Sequence, residues 1–229
     1  MALNGHRPGI LAIWHDLDDA FAQRYESWLV SEHIPERLAV PGFLEARRYE
    51  AVLGSPRFFI SYRVESPQVL ASPEYLARLA SPTPQTREVM GGFRNMVRTA
   101  CSLAHRSPGE TLGGCSVAAF VEHPSVVDDE ALLKGVAQLE RDSSVLGVQV
   151  WKAEAGPASA ASSEAKLRPG GDRSIAAALV VDVLREEDGP ALAEVLPWVI
   201  RRSTRKSAAD ELRIRACAYR LLGLWRNES

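Results

Sequence analysis

The chain has 229 residues, of which 46% are hydrophobic and 24% charged, with a formal net charge of -2. That balance is ordinary for a globular protein and excludes recruitment to nucleic acid or anionic membranes by bulk charge. No stretch reaches the roughly 18 apolar residues of a spanning helix, and Met1 to Pro8 is polar with no apolar signal core, so a cytoplasmic protein is expected.

The first strand is predicted at Gly9 to His15, a short apolar run suited to a strand covered on both faces. Asp18 then reads as an N-cap, and Phe21, Tyr25, Trp28 and Leu29 form one core-facing stripe of a first helix. Pro35 is predicted to break that helix and leave Glu32, His33 and Glu36 around its end. Pro41-Gly42 turns the chain into a second strand, Phe43 to Ala51, and Gly54-Ser55-Pro56 links it to a third, Arg57 to Glu65. Pro67, Pro73, Pro82 and Pro84 fragment the next helical region, whose best piece is Pro73 to Leu79 with proline in its first turn. A fourth strand spans about Phe93 to Ala104.

Arg106 to Gly114, rich in Gly and Pro, reads as a linker, after which the order repeats. Cys115 to Glu122 is a strand, Asp128 to Leu139 a helix, Val145 to Ala153 and Ser174 to Leu184 strands, Asp188 to Ile200 a helix and Leu212 to Leu224 a last strand. Gly156 to Asp172, a Gly, Ser, Ala and Pro cluster, reads as a mobile loop. The three cysteines, Cys101, Cys115 and Cys217, fall in these strands without metal-like spacing and read as buried free thiols of a reducing compartment. Pro41-Gly42-Phe43 is echoed by Leu146-Gly147-Val148, each opening the second strand of its half. A β-α-β-β-α-β unit therefore occurs twice, in modules 1–107 and 108–229, the second a degenerate repeat. Each sheet has helices on one face and needs a cover for the other; two such sheets on one chain can face each other and close a barrel.

His33 is the leading candidate for proton transfer, with Glu32 and Glu36 near enough in sequence to orient it or raise its pKa. Alternation on the first strand puts Trp14 and Asp16 on one face and His15 on the other, where it is placed to line the barrel interior. Arg47 and Arg48 must point to opposite faces, whereas Arg94 and Arg98, four apart, are predicted to share one. A buried arginine needs a partner, so one of these four is expected to meet Glu32, Glu36 or Glu45. Trp14, Tyr49 and Tyr62 can wall a pocket for a flat ligand, although aromatic residues in such positions also serve as plain core. The chain contains no Gly-rich phosphate loop, nucleophile elbow or His-Glu-x-x-His spacing, so no metal site is expected.

The runs Trp14-His15-Asp16, Tyr25-Glu26-Ser27-Trp28, Glu32-His33-Ile34-Pro35-Glu36-Arg37, Pro41-Gly42-Phe43 and Ala46-Arg47-Arg48-Tyr49 resemble the EthD-like branch of the dimeric α/β-barrel superfamily. The resemblance covers the first half, to about Arg98; the second half lacks the Glu-His run and the arginine pair. It implies an α+β fold of two tandem ferredoxin-like modules packed sheet to sheet as an intrachain barrel. Members include cofactor-free oxygenases, isomerases, dehydratases and haem-handling enzymes, so the fold alone does not choose among reactions. The expected function is binding of a small aromatic or polyketide-like molecule, with His33 and Glu32 as catalytic candidates and Trp14, His15, Arg47, Tyr49, Tyr62 and Arg94 as ligand contacts. No cofactor, nucleic-acid or membrane partner is expected, and a monomer or weak homodimer is. The alternative is a non-catalytic module whose Glu-His-Arg network only fastens the first helix. Haem ligated by a histidine is the remaining one.

Overall fold

Alternation along the first strand sets the layers of the molecule. In β1 (Gly9–Leu17), Ile10, Ala12 and Trp14 point into one apolar core and Leu11 and Ile13 into another, so both faces are covered as the apolar run predicts. The structure, a computed structural model, describes residues 7–109, 111–122, 129–154, 162–204 and 213–227. Asp128 and Leu212, read above as element ends, and residues 156–161 of the expected loop lie outside them.

After β1 come α1 (Ala22–Trp28), a five-residue π-helical turn (Leu29–His33), α2 (Ile34–Leu38), β2 (Phe43–Leu53) and β3 (Phe58–Val64). Two short helices, α3 (Pro73–Ala80) and α4 (Pro84–Met90), lead into β4 (Phe93–Arg106). Then follow β5 (Cys115–Val121), α5 (Asp129–Leu139), β6 (Val145–Ala153), β7 (Ala177–Val183), α6 (Asp188–Arg202) and β8 (Ile214–Arg226). The fold is thus mixed α+β.

The strands pair antiparallel in the order β1-β3-β2-β8-β5-β7-β6-β4 and close on themselves as an eight-stranded barrel. Two seams join the first four strands to the last four: β2 on β8, with Ala46 opposite Trp225, and β4 on β6, with Leu103 opposite Trp151. Closure gives every strand two neighbours and hides the inner face. That interior is packed with rings: Tyr49 stacks on Phe59 at 5.0 Å, Phe59 on Trp14 at 4.8 Å, and Phe120 meets Trp14 at 4.6 Å. Outside, α1 to α4 cover a core of the first half and α5 and α6 one of the second. Gly42 makes the turn into β2 with φ 87°, and a Cβ there would fall 2.7 Å from a Val69 methyl carbon.

Four local expectations are corrected. Pro35 does not break the helix: the preceding turn widens from α to π, and the ring is accommodated at the start of α2. Asp18 opens a 3-10 turn but makes no side-chain cap, because its carboxylate pairs with Arg94. Arg94 and Arg98 do not share a face. The register between β1 and β4 shifts at Asn95, which has φ 53°, and this extra residue reverses the alternation between the two arginines. Finally, residues 162–172 are packed rather than free of the body. They contain a short turn, Ala165–Leu167, with Glu164 and Arg168 buried, and Arg173 just beyond them pairs with β4.

Candidate functional site

The outward face of β1, β3 and β4 under α1 carries Leu11, Ile13, Ile60 and Met96, which would make a plain core but for the polar residues interleaved with them. His15, two positions beyond Ile13, shares this outward face, so it lies beneath the helices and not in the barrel interior as the sequence suggested. Its Nδ1 is 3.1 Å from the Asp16 carbonyl oxygen and its Nε2 3.0 Å from the Tyr25 hydroxyl. This network assigns the proton to Nδ1 and makes Nε2 the acceptor from Tyr25. Burial pushes the His15 pKa down to about 4, against the opposing pull of Asp16.

His33 ends the π-turn and stands over Trp28, with ring centroids 4.4 Å apart. One helical turn on, Arg37 lies on the same face. Arg37 donates to Glu164 at 2.8 Å, its guanidinium over the Tyr75 ring at 5.7 Å, and Arg98 donates to the Tyr75 hydroxyl at 2.5 Å. Arg168 pairs with Asp172 and directs a second nitrogen at the Met90 sulfur. Together these groups surround a cavity of about 20 Å³, room for one water. Met90 and Met96, unbranched thioether chains, also line it.

The electrostatics reverse the sequence expectation. Burial first, then the charges of Arg37, Arg168 and Arg98, hold the His33 pKa well below its ordinary value, so the imidazole is neutral. Glu32 does not reach it; its carboxylate accepts from Trp28 at 3.2 Å, Thr83 at 2.5 Å and Thr86 at 3.0 Å, fastening the helical run to α4. Three buried polar atoms on this wall have no hydrogen-bond partner among the described residues: His33 Nδ1, Arg37 Nη1 and the Tyr62 hydroxyl. Leaving such groups unsatisfied costs about 1–3 kcal/mol each. Native structures keep few of them.

The remaining candidates sit elsewhere. Arg47 and Tyr49 line a second cavity, also about 20 Å³, at one end of the barrel interior. There Arg47 donates to Glu45 at 2.5 Å, the pairing the sequence called for, and lies 3.7 Å from Asp182. Burial pushes the Asp182 carboxyl up to about 6 although Ser116 and Arg47 pull it down. Trp14 is part of the aromatic stack inside the barrel. Arg94, expected as a ligand contact, instead ties β4 to Asp18 at a half-exposed position, and Arg98 lines the cavity. Of the eight sequence candidates, the structure thus brings together His15, His33 and Tyr62. Sequence reasoning missed the participation of Arg37, for which the spacing of four from His33 was a usable signal. It also missed Glu164 and Arg168, more than a hundred residues away in a segment with a loop's composition.

No family model matches the chain, and no curated protein matches it. Among solved structures, an anthrone oxidase-like protein is similar over 100% of this chain and 97% of its own, at 12% identity and TM-score 0.63. A candidate monooxygenase of Fusobacterium nucleatum is similar over 99% and 97%, at 9% identity and TM-score 0.53. The chlorite dismutase of Candidatus Nitrospira defluvii in complex with imidazole is similar over 94% and 92%, at 10% identity and TM-score 0.52. At these identities the likeness is one of fold alone. No helix among the described residues is long and apolar enough to cross a membrane.

Proposed function

We propose that this protein binds a small planar aromatic or polyketide-like molecule in the cavity under α1 and acts on it, through His33, as a cofactor-free oxygenase, isomerase or dehydratase. The observation that carries this reading is the set of three unpartnered buried atoms, His33 Nδ1, Arg37 Nη1 and the Tyr62 hydroxyl, around one cavity. A ligand bearing a carbonyl or phenol would satisfy them. Neutral His33 can take a proton at Nδ1, and the cations that disfavour its imidazolium favour the enolate or phenolate left behind. In an oxygenase the electrons of that anion pass to dioxygen; in an isomerase they recapture the proton at another carbon. The anthrone oxidase-like and candidate monooxygenase neighbours support the first course.

On the same reading the chain is a tandem of two ferredoxin-like modules, 1–107 and 108–229, of EthD-like ancestry. The support is the recurrence of the element order and of the strand order β4-β1-β3-β2 as β8-β5-β7-β6. The barrel closes within one chain, which favours a monomer or weak homodimer, and the three buried free thiols favour a cytoplasmic setting. His15 and Tyr62 form the ligand's walls, and Glu32 holds the π-turn that presents His33.

Haem, which the superfamily resemblance admits, does not fit these residues. Both nitrogens of His15 lie within hydrogen-bonding distance of Asp16 and Tyr25. The unpartnered nitrogen of His33 faces the field of Arg37, Arg168 and Arg98, which opposes an iron cation as it opposes a proton.

The test uses anthrone as substrate and His33→Gln, which keeps a polar side chain but cannot carry the proton. We expect dioxygen uptake by the wild-type protein above the buffer rate, a fall of about a hundredfold in the variant, and a melting temperature changed by less than about 4 °C. No uptake by the wild type, or unchanged uptake with a large fall in melting temperature, would transfer His33 to a purely structural role.

A further inference from the structure

Glu164 has no obvious business in a cavity of the first half. It belongs to the segment between β6 and β7, and reaches Arg37 across a separation of 127 residues. Three contacts hold that segment over the cavity as a strap. The Glu164 amide donates to the Leu79 carbonyl at 3.2 Å, Leu167 packs on the first half's core, and the amide of Arg98 and the carbonyl of Arg173 pair at 2.9 Å. Of the charged residues on the cavity wall, Arg37 and Arg98 belong to the body, whereas Glu164 and Arg168 belong to the strap.

The Arg37 guanidinium is split between a satisfied and an unsatisfied end. Its Nη2 donates to Glu164 and its buried Nη1 donates to nothing among the described residues. A guanidinium presents its donors as a fork that fits both oxygens of one carboxylate. Glu164 engages one tine through Oε1; the other tine, His33 Nδ1 and the Tyr62 hydroxyl are buried without a partner among the described residues, and all three belong to residues that line the same small void. The cavity is therefore closed by a carboxylate that fills the place of an acid group incompletely.

We propose, on the reading that this cavity is the ligand site, that its ligand is a planar aromatic carboxylate, whose acidic group displaces Glu164 from Arg37. Glu164 is a built-in stand-in: it neutralises the buried guanidinium while the cavity is empty and yields to a ligand that uses both tines. Met90 and Met96 make way for the rings. The second half thus contributes selectivity to a site that lies in the first.

The probes are 1-naphthoate and its neutral counterpart 1-naphthylmethanol, titrated calorimetrically into the full chain. The wild-type protein is expected to prefer the anion. Glu164→Gln removes the competitor and is expected to tighten naphthoate by about tenfold or more while moving naphthylmethanol by less than about threefold. The double variant Arg37→Gln/Glu164→Gln, which leaves no buried charge of this pair uncompensated, is expected to bind both probes alike. Both probes binding, with an affinity for naphthoate that ignores Glu164→Gln, would overturn the stand-in and leave the cavity as a ligand site. Failure of both probes to bind any of the three proteins at millimolar concentration would overturn both.

Discussion

The two outer cores of this barrel face the same structural problem and solve it differently. Beneath α5 and α6 the outward rows are Val117, Ala119 and Val121 on β5 and Leu179 and Val181 on β7, and the void left there, about 10 Å³, is lined only by apolar side chains such as Leu132 and Ile200. Beneath α1 the outward rows are Leu11, Ile13 and His15 on β1 and Ile60 and Tyr62 on β3, with Arg98 on β4 and Arg37 above. Among the described residues, buried polar atoms without a hydrogen-bond partner occur in the first core and not in the second. A core that needed only to hold helices to a sheet would look like the second, so the polar groups of the first require another explanation. The difference is the packing argument for proposing the ligand site in the first half.

Three substitutions break or sharpen that contrast. The largest effect is expected from Arg37→Met, which strands Glu164 as a buried carboxylate without its cation; urea unfolding should show a loss of about 3–5 kcal/mol, most of it recovered in Arg37→Met/Glu164→Gln. An equal stability in the single and double variants would mean that the pair is not buried as described. Next is Leu196→Ala in α6, a fully buried member of the apolar core, which should cost about 2–5 kcal/mol by the same measurement. It should leave 1-naphthoate affinity within about twofold, since nothing in that core touches the cavity under α1; a larger change would dissolve the division of labour.

The smallest effect concerns the barrel's inner end. Asp182 has its folded pKa raised from the ordinary 3.8 to about 6, so between these values the folded chain binds more protons than the unfolded one. Its contribution to stability is therefore greatest below pH 3.8 and is lost as pH rises towards 6. Asp182→Asn removes this slope: relative to the wild type, the variant should gain stability between pH 4 and pH 7 when unfolding is followed across that window. A difference that stays flat would place the carboxyl in contact with water.

The elements of the fold were legible because each depends on a pattern a few residues long. Apolar or alternating runs, most of them next to Gly or Pro, marked the eight strands, and Pro73 and Pro84 marked the starts of α3 and α4. What failed depended on one residue disturbing such a pattern. Asn95, with its positive φ, adds a residue to β4 and exchanges the roles of Arg94 and Arg98, and period-two counting has no means of seeing it. Pro35 is a helix breaker by rule, yet a π-turn absorbs it and thereby sets His33 beside Trp28. Of the proposed site, His33, His15 and Tyr62 could be named from local runs. The strap could not, because its composition is that of a loop and its partners are fixed only when the barrel closes.

That closure has a consequence for how such a molecule can change. In a barrel assembled from two copies of one chain, each substitution is made twice, and a residue good for one half is imposed on the other. Here both seams, Ala46 opposite Trp225 and Leu103 opposite Trp151, lie within a single chain. A mutation is felt once. One half is thus at liberty to become a rigid brace of Val, Ala and Leu, while the other keeps costly polar groups that a symmetric pair would have to tolerate in duplicate.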